Sequence, residues 1–334
     1  MKERRTRMKI GVFDSGYGGL TILREIRRVL PEYDYLYLGD NARAPYGTHS
    51  FDVIYRYTLE AVRYLLAQDC ALVILACNTA SAKALRTIQQ KDLLLITGEN
   101  GDASLNGEMR KRNVLGVIRP TVEAVPGITK TGHVGILGTP ATVSSESYVL
   151  ELEKIAEYRN SETSRPRDFE TSKEGKGQSG TEPVESQKMV ITQQACPMWV
   201  PLIEAGEQNS DGADYFVEKY LREILEKDPQ IDTLVLGCTH YPLLKEKIDR
   251  FADRIRTAGA DRAQTYSPIR IIAQGELVAK SLADYLARHA EYREQLSMGG
   301  TCRYLTTENA ERFAQTATTF LNSPIQAESI QLGN

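Results

Sequence analysis

Ile74-Leu75-Ala76-Cys77-Asn78-Thr79-Ala80-Ser81 is an apolar, β-type run that ends on a cysteine and passes into small, mostly polar residues. Val235-Leu236-Gly237-Cys238-Thr239-His240-Tyr241-Pro242 repeats that arrangement in the second half of the chain. A free cysteine is usually a small buried hydrophobe, and either one alone would be read that way. Two in matched contexts, each closing a strand, point instead to chemistry that needs two thiols. A reaction on both faces of a planar intermediate has that need.

Outward from these two segments the chain alternates short apolar runs with longer amphipathic ones, the pattern of parallel α/β sheets. Strands are expected at 9–13, 35–38, 71–75, 114–118, 133–137, 233–236 and 269–272, and helices at 20–29, 51–68, 81–89, 147–155, 215–226, 243–251 and 276–289. Strand, turn and helix recur on both sides of the midpoint. The fold class is therefore α/β, with two facing, pseudo-symmetric domains. Each is a mainly parallel sheet flanked by helices, and the active site lies in the interdomain cleft at the carboxyl ends of the strands. Residues 1–97 with 265–334 are assigned to the first domain, which carries Cys77, and 98–264 to the second, which carries Cys238. Within the second, 159–187 is almost wholly polar, with Phe169 and Val184 as its sizeable apolar residues. Such a segment buries too little to offset its ordering entropy and reads as a flexible insertion. A smaller polar patch at 98–113 reads as a second loop near the domain junction.

Composition narrows the function. Apolar residues make up 41% and charged residues 25% of the 334, with a net charge of −3, so the chain is long enough for two cores and not basic enough for a dedicated nucleic-acid binder. Met1 to Met8 is charged like the start of a secretory signal, but the apolar stretch after it reaches Asp14 within a few residues, so secretion is not expected. No apolar run approaches the length of a membrane span. Five widely spaced cysteines without a CxxC pair read as reduced thiols in a cytoplasmic protein.

The remaining motifs lie at strand ends. Asp14-Ser15-Gly16-Tyr17-Gly18-Gly19 allows a tight turn and offers backbone N–H groups to an anion, though it has neither P-loop lysine nor GxGxxG spacing. The loop around Asp40, Arg43, Tyr46 and Gly47 combines a carboxylate, a guanidinium and a phenol. A thiol at a helix start has its thiolate favoured by the helix dipole, and His240 is near enough to pair with Cys238. Asn78, Thr79 and Thr239 can hydrogen-bond a small polar ligand. Cys70, Cys196 and Cys302 read as packing residues, and Glu204, downstream of Cys196, as a residue that projects into a site.

In order, Phe13-Asp14-Ser15-Gly16-Tyr17-Gly18-Gly19-Leu20, Asp40 to Gly47, Ala76-Cys77-Asn78-Thr79-Ala80, Ala195-Cys196-Pro197 and Gly237 to Leu244 resemble glutamate racemase of the aspartate/glutamate racemase group, across roughly residues 9 to 325. The resemblance implies cofactor-independent interconversion of L- and D-glutamate for peptidoglycan in the cytoplasm. Cys77 would act as acid/base on the D-enantiomer and Cys238 on the L-enantiomer. Asp14, Ser15, Tyr46, Gly47, Asn78, Thr79, Thr239 and His240 would bind substrate, with Asp40 and Glu204 in support. It implies no metal, no nucleic-acid partner and a small-molecule substrate, and leaves a homodimer open. One departure stands out: Ala273-Gln274-Gly275-Glu276 replaces a further Asp-Ser-Gly-type turn. The alternatives are aspartate racemase or another thiol-dependent isomerase, a non-catalytic binding protein that keeps the cleft, and a thiol–metal site at Cys77, Cys238 and His240. That metal site is short of ligands.

Overall fold

The computed structural model describes residues 7–97, 110–163, 189–258 and 268–333, with side chains through 155 in the second of these segments. Among the described residues, ten strands form two sheets in which every strand pairing is parallel. The larger holds β1 (Lys9–Asp14), β2 (Tyr35–Gly39), β3 (Cys70–Leu75), β4 (Asn113–Gly116), β9 (Cys302–Thr306) and β10 (Ala327–Ser329), in the order β10-β9-β2-β1-β3-β4. The smaller holds β5 (His133–Gly138), β6 (Val190–Ala195), β7 (Thr233–Gly237) and β8 (Arg270–Ile272), in the order β6-β5-β7-β8. All seven expected strands exist.

The expected domain boundaries each fall one strand early. β4 pairs with β3 in the first sheet, and β8 pairs with β7 in the second. Both are short strands beside polar segments, so the change in composition precedes the change of sheet. The expected insertion at 159–187 and most of the loop at 98–113 lie outside the described residues. Asn113, at the end of that loop, already belongs to β4.

β3 reads Cys70-Ala71-Leu72-Val73-Ile74-Leu75 and is buried throughout, as a central parallel strand with helices on both faces must be. Each Leu, Ile or Val so placed contributes about 1.5–3 kcal/mol of burial. Cys70 and Cys196 are buried packing residues, and Cys302 is a half-buried strand residue. β7 runs directly into Cys238, and β3 reaches Cys77 through one further residue, Ala76. The helix after β3, expected from 81, starts at Asn78, because Cys77 leaves the strand in extended geometry and its sulfur accepts the Ala80 N–H at 3.5 Å. It ends at Lys83 and is followed by a short helix, a π-turn over Ile88–Asp92 and a helix over Leu93–Thr97. No helix among the described residues is long and apolar enough to cross a membrane.

Candidate active site

The two cysteine-bearing strand ends meet at one cleft. The first sheet's connections supply Ser15, Pro45, Tyr46, Gly47, Cys77, Asn78 and Thr79, and the second's supply Thr139, Val200, Glu204, Cys238, Thr239 and His240. The residue ranges alternate along the chain, yet each sheet gives one thiol. The enclosed volume is about 20 Å³, room for a single water, so a ligand the size of an amino acid enters only when the walls separate. A larger cavity of about 770 Å³ elsewhere in the molecule shares none of these residues.

The walls are pinned by hydrogen bonds between sheets. Thr21 Oγ1 donates to the Thr239 carbonyl at 2.9 Å, and Thr239 Oγ1 donates to Asp14 Oδ1 at 3.5 Å. Thr79, Thr139 and Thr142 form a hydroxyl triangle with sides of 3.0, 3.0 and 3.4 Å. Gly18 lies at the tightest approach, where a Cβ would overlap Thr239 Oγ1 and His240 Nδ1. Gly18→Ala is therefore expected to wedge the closed cleft and lower kcat/KM roughly tenfold with the fold retained. Steady-state kinetics beside a circular-dichroism spectrum checks this, and unchanged turnover would show that the closed geometry is not the working one.

Ten of the twelve expected site residues line the cleft. Asp14 and Asp40 lie behind it. Asp14 is fully buried in the closed cleft, with Oδ2 accepting the Gly16 N–H at 2.9 Å, so there it braces the turn. Burial pushes its carboxyl up, against the nearby His240 charge and the Gly16 and Gly19 N–H groups. Asp40 is also fully buried, accepting from the Tyr46 hydroxyl, from Arg43 Nε at 2.7 Å and from Thr307 Oγ1 at 2.9 Å. It holds Tyr46 in the wall, the supporting part expected of it. Thr139 was missed, although Gly138-Thr139-Pro140 closes a strand and caps a helix, a signal of the same kind as the two cysteine turns.

The thiols have unlike surroundings. Cys77 Sγ is 3.4 Å from Ser15 Oγ. Burial, then the Asp14 charge, pushes the Cys77 thiol up to about 12, outweighing the Ser15 and Ala80 donors. The dipole-lowered thiol expected from sequence is not found here, because a six-residue helix cannot offset full desolvation. Cys238 Sγ is 3.9 Å from His240 Nδ1, and His240 Nε2 is 2.9 Å from Glu204 Oε1. Burial works to lower His240, but its bonds to Cys238 and Glu204 win and push it up to about 10. At neutral pH it is an imidazolium that donates from both nitrogens. Cys77 thus stands as a proton donor, and Cys238 faces a cation. Among the described residues no cluster of three or more His, Cys, Asp or Glu could hold a metal ion.

A closed cleft with one thiol from each of two α/β halves has the form of an amino-acid racemase, an isomerase that inverts a carbon by proton transfer. No family model matches the chain. Individual proteins do: it is 34% identical to glutamate racemase of Ruegeria sp. over 96% of this chain and all of that one. Its structure superposes on glutamate racemase of Bacillus anthracis with a TM-score of 0.73 at 26% identity, covering 98% and 99% of the two chains. It superposes on the Francisella tularensis glutamate racemase complex with D-glutamate at 0.71 and 26% identity, covering 97% and 98%. The chain belongs to the glutamate racemase family.

Proposed function

We propose that this cleft interconverts L- and D-glutamate, with Cys77 and Cys238 as paired acid and base on opposite faces of the α-carbon. The observation that carries the reading is the single closed cleft to which each sheet contributes one buried thiol. Inverting a carbon by proton transfer requires removal from one face and delivery to the other, and one fixed base cannot do both. With two, Cys238 takes the α-proton of L-glutamate while Cys77, held as a thiol, delivers one to the other face, and the roles reverse for D-glutamate. The His240 imidazolium supports the Cys238 sulfur as its charge changes, and Glu204 holds the imidazole ring. Ser15 plays the neutral counterpart at Cys77. The Asn78 and Thr79 N–H groups at the start of the helix Asn78–Lys83 and the Thr79 and Thr139 hydroxyls suit the substrate carboxylate. Closure excludes water and strengthens every one of these interactions while the acidic α-carbon carries charge.

We further infer a cytoplasmic enzyme whose D-glutamate enters peptidoglycan, and carry the homodimer as the assembly that sedimentation would test.

In deuterated water, L-glutamate should give early D-glutamate labelled at the α-carbon while the remaining L-glutamate stays mostly unlabelled. Product that keeps the substrate's hydrogen would overturn the opposed thiols in favour of one mobile base. The optical signal should decay with L-glutamate and hold with L-aspartate. The reverse would move the chain's substrate to the four-carbon acid.

A further inference from the structure

Behind the cleft, Asn78, Gln274 and Tyr148 close a ring of hydrogen bonds. Asn78 Nδ2 donates to Gln274 Oε1 at 2.6 Å, Gln274 Nε2 donates to the Tyr148 hydroxyl at 2.8 Å, and that hydroxyl donates to Asn78 Oδ1 at 2.7 Å. All three are buried, at 2%, 2% and 0% exposure. The amide orientations follow from the surroundings. The Val117 carbonyl can only accept, and it lies 3.3 Å from Gln274 Nε2. Thr121 Oγ1 gives its own proton to that carbonyl at 2.9 Å and therefore accepts from Gln274 Nε2, also at 2.9 Å. The Gln274 oxygen is left facing Asn78, so Asn78 must present its amide nitrogen to it and its oxygen to Tyr148.

The ring joins three parts of the fold. Asn78 follows Cys77 and opens the helix Asn78–Lys83. Tyr148, on the helix Ser147–Thr163, packs under the residue before Cys238: a Cβ on Gly237 would lie 3.3 Å from its ring. Gln274 opens the helix Gln274–Arg288, where the chain leaves β8. One side of the ring thus stands under each thiol, and Gln274 links the two. Much of the Asn78 amide is already committed to the ring, so its orientation in the cleft wall is set from behind.

We propose that Gln274 is a positioning residue for the racemisation, fixing Asn78 and, with Tyr148, the separation of the Cys77 and Cys238 turns. This rests on the cleft reading above. The place needs an amide, because it must accept one N–H and donate in two further directions. A single hydroxyl at this place would have only one proton to give. A closed polar ring of this kind acts as a unit, so loss of one member releases the others.

Gln274→Met keeps length and volume and removes every bond. It should lower kcat about 10- to 100-fold, the scale of a small misplacement of reacting groups, while the protein stays folded at the assay temperature. Tyr148→Phe should do the same, and the double variant should be no worse than the poorer single one. Gln274→Glu, which still accepts from Asn78 but no longer donates when ionised, should fall between wild type and Met. It serves as the reading if the Met variant fails to fold. Wild-type kcat in Gln274→Met, or effects of the two changes that multiply, would overturn the positioning role. So would a loss that only tracks the unfolded fraction. Cys77→Ala, assayed alongside, separates the two ideas: an active Cys77→Ala sinks the cleft reading, whereas an inactive one beside a normal Gln274→Met sinks only this proposal.

Discussion

Replacement of Cys77 or Cys238 with alanine should each lower racemisation on the order of 10⁴-fold, with neither variant favouring one direction in kcat/KM. The size follows from losing the group that must take or give the proton on one face, with no second group in reach. Ser15, beside Cys77, is a far weaker base than a thiolate, and His240, beside Cys238, already carries its proton at neutral pH. The symmetry follows from thermodynamics, since the enantiomers are equal in free energy and every variant must keep the two kcat/KM values equal. Individual kcat and KM values are free to diverge, and the split tells which face was damaged. The fold should survive: alanine removes one sulfur from sites 6% and 7% exposed, and at Cys77 one 3.5 Å cap from Ala80. Cys196→Ala is the control, because that sulfur is 1% exposed and gives only a 3.7 Å bond to the Gln194 carbonyl. Near-wild-type turnover in either cleft variant, measured by polarimetry from both enantiomers, would remove the two-thiol mechanism.

What the sequence shows plainly is what local patterning controls. β1, β3, β5 and β7 are continuous apolar runs because both their faces are covered, and the turn after each is marked by small residues. β6, Val190-Ile191-Thr192-Gln193-Gln194-Ala195, escapes such a reading: it is an edge strand, mostly half-exposed, and carries a polar stretch no run-based rule would accept. β10 is three residues and largely exposed. The helix Ala310–Leu321 has a clear apolar face in Phe313, Ala317 and Phe320, but it belongs to the chain's return to the first sheet, which only long-range pairing discloses. At the site, ten residues were legible because their motifs sit at strand ends, where such folds place ligands. Asp14 and Asp40 lie behind the wall of the closed cleft, a depth the sequence does not show, since a motif gives adjacency only. Gln274 shows the same limit from the other direction, standing out as a departure whose partners, Asn78 and Tyr148, lie far away in sequence.

His240→Asn should cost about 10²-fold in kcat/KM at neutral pH, a typical share for one charge or proton acting on a reacting group, and should change the pH profile in a defined way. In the wild type, burial alone would lower the imidazole, but its bonds to Cys238 and Glu204 push it up to about 10, so it is charged throughout the neutral range. As pH rises through about 10 the proton is lost and Cys238 loses its charged donor, so kcat/KM should fall on that limb. Asparagine, with no proton to lose, should flatten it. Glu204→Gln keeps a neutral partner but removes a negative charge from Nε2, and should shift the limb to lower pH. Stability carries the same signature: the folded value lies above the ordinary 6.5, so the contribution is complete below 6.5, shrinks as pH climbs and is gone above about 10. The melting-temperature gap between wild type and His240→Asn should therefore be widest below pH 6.5 and close toward pH 10. A gap that widens with pH, or an alkaline limb unchanged in the asparagine variant, would mean that His240 is neutral in the folded protein and that the Cys238 sulfur works without a cation beside it.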